Sequence, residues 1–459
     1  MTDLRGKALL ADGFHAPRLG EIGELRDALL SIGDDGTIVS VLRPDDEGYP
    51  NVLAAARQAD ALVTLPKGHY LLPGLVDLHV HAPQYPQLGQ ALDVPLEVWL
   101  HKYTFPLEAR YADTAFARHS YRLLVDDLIA NGTTTALYFA TIHRDATRIL
   151  VDTCLERGQR ALIGKVAMDN PDQCPDYYRD ASADAAIEGT RDLIDYVRAH
   201  PDNRGGLVRP AITPRFIPSC TDASLDGLGA LAQACGCHVQ THCSESDWEH
   251  GYVIDRYGMT DTESLDRFGL LGRRSVLAHA NFITPKDIET ILARRSAIAH
   301  CPLSNAYFAN AVFPLKAALE KGVKVGIGTD ISGGPSASLF DGMRGAVMAS
   351  RMLETGTDPD LPPEERSARA RARIDFRDAF HLATAGGGIA LGLAVGQFAP
   401  GYHFDAIAVD TGAEGGTIRL FDELDHGDGI LQKIVHSTSR ANIAVVWIDG
   451  RNVAGAFRS

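Results

Sequence analysis

The middle of the chain repeats one pattern eight times: a short apolar run of strand character, then residues with helical spacing. The runs fall at 74–81, 134–141, 161–168, 207–213, 237–242, 275–279, 296–300 and 323–329. Between them, Phe116, Tyr121, Leu124, Leu128 and Ile129 share one face of a helix, and Leu150, Cys154 and Leu155 suit another. Thr284-Pro285 is a helix-start signal ahead of Ile288, Ile291 and Leu292, and Leu339, Met343, Val347 and Met348 suit a helix after the eighth run. Strands separated by helices pair in parallel, because each crossover returns the chain to the same end of the sheet. Eight such units predict an α/β fold, a distorted (β/α)8 TIM barrel, with a doubly wound open sheet as the structural alternative.

Both chain ends carry strands of a different kind. Residues 28–33 and 37–42 flank Asp34-Asp35-Gly36, a hairpin signal, and residues 61–65 add a strand. Residues 404–410 and 443–448 are strand-like, with a turn at Asp449-Gly450. These ends are expected to form one small β-sandwich domain from 1–71 and 398–459, bracketing a barrel at 72–397. The polar stretch from Glu354 to Arg373 reads as a solvated loop or frayed helix. A net charge of −15 argues against a general nucleic-acid binder, although a basic face can sit within an acidic total. The seven cysteines include no C-x-x-C pair, and no run approaches a membrane span. The expectation is a cytoplasmic protein without structural disulfides, cleaved signal or membrane partner.

Chemistry collects at the predicted strand ends. In Val76-Asp77-Leu78-His79-Val80-His81, residues two apart share a face, so His79 and His81 point one way, with Asp77 as interior support. Later runs end in His242, His279 and Asp330. In a barrel these ends meet on one rim, where imidazoles and a carboxylate suit a divalent cation such as Zn²⁺ or Fe²⁺. Each residue also has an ordinary role: His279 as a hydrogen-bonded core histidine, Asp330 as a helix cap. Glu245, three residues after His242, begins the loop above the rim. There it can carry a proton between water and a leaving group, or merely favour the start of the next helix.

Pro73-Gly74-Leu75-Val76-Asp77-Leu78-His79-Val80-His81, Ala278-His279 and Gly328-Thr329-Asp330 resemble signatures of the amidohydrolase superfamily. Within it the chain resembles the guanine deaminase family. That likeness rests on His81-Ala82-Pro83-Gln84-Tyr85, Trp99-Leu100, Tyr103-Thr104-Phe105-Pro106, Gly164-Lys165-Val166, Thr213-Pro214-Arg215-Phe216, Ala299-His300-Cys301-Pro302 and Ala383-Thr384. It covers about Leu72 to Gly392. The resemblance implies one zinc per chain on His79, His81, His242 and Asp330, with His279 and Asp330 handling the proton of the attacking water and Glu245 as proton carrier. It implies that Gln84 and Arg215 hydrogen-bond a purine base, that Phe216 packs on the ring, and that His81, His242 and Asp330 also border it. Hydrolysis of guanine to xanthine and ammonia by a homodimer is the implied activity.

A single metal agrees with the residues, since the fourth run ends in Pro214-Arg215-Phe216 and offers no lysine to bridge two ions. Trp99, Tyr103 and Phe105 are either a lid or helix packing. His143 and His300 read as structural. Ser246 stands where the resemblance leads one to expect asparagine. Competing readings are an aminohydrolase for 8-oxoguanine, a pterin or a modified adenine, a cyclic-amide hydrolase, and a non-enzymatic assembly protein on the same barrel. The small zinc deaminases with P-C-x-x-C are excluded, because that motif does not occur.

Overall fold

The computed structural model describes residues 3–309, 311–367 and 369–457. Eight parallel strands form the barrel: Leu75–His81, Thr133–Phe139, Arg160–Gly164, Val208–Pro214, His238–Cys243, Ser275–His279, Ala297–His300 and Lys324–Ile327. Neighbours in sequence are neighbours in the sheet, in register from one ladder to the next. Closure comes from the backbone just beyond the last strand. Asp330 N–H donates to the His79 carbonyl at 2.8 Å, and His81 N–H donates to the Ile331 carbonyl at 2.9 Å. Gly328 permits this approach, since a Cβ there would lie 2.7 Å from the Cβ of His79.

Val76, Leu78, Leu137, Leu162, Ala211, Val276, Ala278 and Ala299 fill the barrel interior. A larger cluster lies between strands and helices, including Leu124, Leu128, Leu150, Leu193 and Leu225. The helix Thr114–Ala130 follows its apolar spacing and starts on Asp113, whose carboxylate accepts from Ala115 N–H at 2.8 Å. The helix Pro285–Arg294 carries a capping box between Thr284 and Asp287. Strict alternation fails in the first strand: Val76 and Leu78 face the interior, but Val80 faces the helices. The ladder to its neighbour is irregular between Asp77 and Val80, which re-aims the side chains that follow.

Both chain ends join one further sheet. Its order is Arg451–Gly455, Ile443–Ile448, Ala406–Asp410, His69–Pro73, Ala8–His15, Gly23–Ile32 and Ile38–Leu42, with Leu62–Thr64 also paired to Ala8–His15. The expected hairpin at Asp34-Asp35-Gly36 and the turn at Asp449-Gly450 are present. A bridge from Thr37 to His403 folds the sheet around Leu9, Leu30, Leu71, Phe404 and Trp447. The stretch from Glu354 to Arg373 is mostly exposed and is pinned at its two ends by a Glu354–Arg373 ion pair of 2.5 Å.

Candidate active site

His79, His81, His242, His279 and Asp330 converge at the C-terminal rim and are all buried. The Nε2 atoms of His79 and His81 lie 3.2 and 3.6 Å from Asp330 Oδ1. His279 Nε2 lies 3.8 Å from Asp330 Oδ2 and 3.6 Å from Glu245 Oε1. Backbone in the left-handed region, costly for side-chain-bearing residues, recurs here: Ser244, His279, Ala280 and Asp330 have φ of 49°, 73°, 57° and 53°. Asp77 lies beneath, accepting from Thr329 N–H at 3.0 Å and from the Thr329 hydroxyl at 2.6 Å. Those bonds fix the segment that presents Asp330, although Asp77, between inward-facing Val76 and Leu78 and opposite Ala136, does not share the interior face expected for it.

The proton inventory fits a cation. His242 donates through Nδ1 to the Arg215 carbonyl at 2.5 Å, leaving a lone pair on Nε2. Asn305 Oδ1 lies 2.9 Å from His279 Nδ1 and orients that ring in the same way. Burial first, and then neighbouring imidazoles, holds His81 and His242 well below the usual histidine range. Yet the two Nε2 atoms lie 2.9 Å apart. Two facing lone pairs at this spacing repel unless a proton or cation lies between them, and ligand atoms about 2 Å from one zinc are neighbours at about this distance. The Nε2 atoms of His79 and His279 are buried without hydrogen-bond partners. Burial opposes the charge on Asp330, but the His79, His279 and His81 imidazoles together outweigh it and hold the carboxyl well below the usual range. Cys301 also approaches His279 and Asp330, but burial keeps its thiol protonated and so a poor ligand.

Glu245 stands over this cluster. Burial, and then the Asp330 carboxylate, pushes its carboxyl up to about 8, so it holds a proton at neutral pH. Its backbone is tied down by Glu249 Oε2, which accepts from Glu245 N–H at 2.5 Å, and by Asn281, which donates to its carbonyl at 2.8 Å.

Beside the cluster is a recognition wall. Arg215 is buried and donates to both oxygens of Glu108, at 2.7 and 3.2 Å. Gln84 Nε2 donates to the same Glu108 at 2.9 Å, and its Oε1 accepts from Ser332 N–H at 3.2 Å. The Arg215 guanidinium lies over the Phe105 ring at 5.1 Å. Burial works against the Arg215 charge, and Glu108 outweighs it, raising the proton affinity. Phe216 faces the His242 and Trp248 rings at 5.9 Å each. His81, Gln84, Arg215, Phe216, His242, Glu245 and Asp330 all line one inner cavity of about 20 Å³, room for about one water. An outer cavity of about 530 Å³ adjoins it, and Leu96 and Phe308 line both. Leu96 and Phe308 thus stand between the inner site and the outer cavity.

Residues 70–453 match the amidohydrolase family. The chain belongs to that family. It is 38% identical to a probable guanine deaminase of Schizosaccharomyces pombe over 96% of this chain and 82% of the relative. It is 35% identical to human guanine deaminase over 94% of this chain and 92% of the relative. A Clostridium acetobutylicum guanine deaminase crystallised with guanine in its active site superposes with a TM-score of 0.86, at 30% identity, covering 97% of this chain and 99% of the other.

Several features of this amidohydrolase site lay outside the sequence reading. Glu108 holds both Gln84 and Arg215. Leu96, Leu100 and Phe308 also line the inner cavity, with Trp99 packed on Phe308 at 5.0 Å between ring centres. Trp99 is thus a roof residue, whereas Phe105 supports Arg215 and Tyr103 lies half-buried beside Lys102. Ser246 caps the helix Asp247–Tyr257, accepting from Glu249 N–H at 3.2 Å, a task any short polar side chain can perform.

Proposed function

We propose that this chain is a guanine deaminase, hydrolysing guanine to xanthine and ammonia. The observation that carries the substrate is the anchored fork: Glu108 fixes Arg215 and Gln84 in the wall facing Glu245. A flat heteroaromatic with a carbonyl and ring nitrogens suits such planar donors and the Phe216 ring. Near-complete coverage of guanine deaminase relatives supports the same reading.

In this reading His79, His81, His242 and Asp330 hold one divalent cation, zinc by preference and Fe²⁺ as the other fit. When bound, such an ion supplies the Lewis acidity that makes water a nucleophile near neutral pH. Asp330, with His279 beside it, takes or holds the proton of the attacking water. Glu245 delivers its proton to the ring nitrogen beside the amine-bearing carbon, relays the proton held at Asp330 to the amine, which leaves as ammonia, and takes up the hydroxyl proton of the adduct to reset. Arg215 and Gln84 hold the purine edge so that this carbon faces the cluster, which lowers the entropic part of the barrier. Leu96 and Phe308 must swing aside to admit the base and then exclude bulk water.

The catalytic unit is taken as residues 72–397, working as a cytoplasmic homodimer in purine breakdown. No helix among the described residues is long and apolar enough to cross a membrane. Ammonia release from guanine, 8-oxoguanine, pterins, adenine derivatives and cytosine by zinc-loaded protein tests the substrate. Guanine should be preferred, with xanthine as product. Preference for another ring would overturn the substrate, and a metal-free His79→Ala variant is expected alongside.

A further inference from the structure

The opposite end of the barrel carries a second cavity, of about 570 Å³. Arg209, His238, Ser275 and Lys324 stand where four barrel strands begin, so this basin lies at the face away from Glu245. Arg273 and Arg274, in the turn before the sixth strand, complete its rim. Its lining contains four cationic side chains and, among the described residues, no aspartate or glutamate. In a protein of net charge −15 this is a marked local reversal.

These cations lack partners of opposite charge. The side chains of Arg209 and Arg273 make no hydrogen bond or ion pair with described residues. Arg274 donates to the Gly236 carbonyl, and Lys324 Nζ reaches only the Arg295 carbonyl at 3.4 Å. Burial first, then Arg160 and Arg274, lowers the proton affinity of Arg209. Burial, then Arg273 and Arg295, does the same at Lys324. Cations gathered without a carboxylate of their own are held against their mutual repulsion, and an anion relieves it. Half-buried Leu271 adds apolar wall to the same basin.

We propose that this basin binds a nucleoside triphosphate. Three arginines and a lysine match the charge of a triphosphate, and arginine forks suit its oxygens. The volume falls in the range of small-molecule sites, roughly 300–1,000 Å³. The apolar wall gives the base a surface that phosphate alone would not use.

The test is calorimetric titration of the full chain with GTP, ATP, tripolyphosphate and guanosine at low salt. One GTP or ATP per chain is expected, tighter than tripolyphosphate, and weakening as salt rises. Arg209→Glu with Arg273→Glu should weaken it at least tenfold while guanine turnover without nucleotide stays unchanged. The milder Arg209→Gln with Arg273→Gln should weaken it in the same direction. Glu245→Gln should bind as the parent does. Absence of GTP and ATP binding, equal binding in the charge variants, or displacement by guanine would each overturn the site. Tripolyphosphate binding as tightly as GTP would overturn the nucleoside part. Retention of an RNA oligomer without GTP or ATP binding would overturn the proposal in favour of a macromolecular partner.

Discussion

Arg209 and Arg215 sit at opposite ends of one strand, Val208–Pro214, in opposite electrostatic states. Arg215, just past its C-terminal end, is buried, paired with Glu108 and stacked over Phe105. Arg209, near its start, is unpaired and set among other cations. The same side chain is a fixed tool in one place and an unspent charge in the other. The difference is the partner: desolvating a guanidinium is tolerable only with a carboxylate in contact. At the rim the fold supplies that carboxylate itself. At the base it leaves the counter-charge to come from outside.

The largest expected effect lies at the rim. Glu245→Gln removes the proton carrier and should cost roughly 10²–10⁴-fold in kcat, with metal content unchanged. Wild-type turnover in that variant would take Glu245 out of the mechanism. Glu108→Gln tests the pairing itself. It strands the Arg215 charge in a buried site, a loss of about 3–5 kcal/mol on denaturant unfolding. The KM for guanine should rise, because the fork loses its anchor. A Glu108→Leu with Arg215→Met pair should recover stability but not guanine binding. Unchanged stability and KM in the Glu108 variant would mean that packing, not charge, positions Arg215.

At the base the telling group is His238, buried, with the Leu391 carbonyl 2.8 Å from its Nε2. Burial first, offset in part by that bond and reinforced by Arg274 and Arg209, lowers its imidazole to about 4. A depressed histidine contributes stability that is present above its unfolded value and lost as pH falls through the folded one. The window therefore runs from about pH 6.5 down to about 4, and the full loss is about 3 kcal/mol. Unfolding of the parent and of His238→Asn, compared at pH 7 and pH 4, should give a shallower loss in the variant. Parallel curves would mean that His238 does not drive the acid sensitivity.

The barrel and the candidate ligands were legible because each depends on short-range signals. The β/α period is a local pattern, and His79-Val80-His81 or Thr329-Asp330 carry their chemistry within two or three residues. Glu108 was hidden because its partner Arg215 is 107 positions away, and nothing around Phe105-Pro106-Leu107-Glu108 signals a buried charge. Leu96 and Phe308 meet between the inner and outer cavities from two short helices far apart in the chain, Leu96–Trp99 and Asn305–Ala309, a meeting that only folding creates. The basin was hidden for the same reason. Arg209, the Arg273-Arg274 pair and Lys324 are separated in the chain, and only the packing of the parallel strands gathers them. Even the first strand kept something back, since its alternation breaks at the irregularity after Asp77.

The smallest predicted effect is the sharpest contrast with Glu108. Removing a charge normally destabilises or does nothing, yet Arg209→Gln should raise stability slightly at low ionic strength. Its charge interacts with Arg160 and Arg274 rather than with a carboxylate, so its loss relieves repulsion. The gain is a few tenths of a kcal/mol, the scale of exposed charge pairs, and it should vanish as salt screens them. Thermal unfolding of parent and variant at low and high salt reads it directly. If Arg209→Gln destabilises the chain at low salt, Arg209 has a partner within the protein, and the two ends of the strand are alike after all.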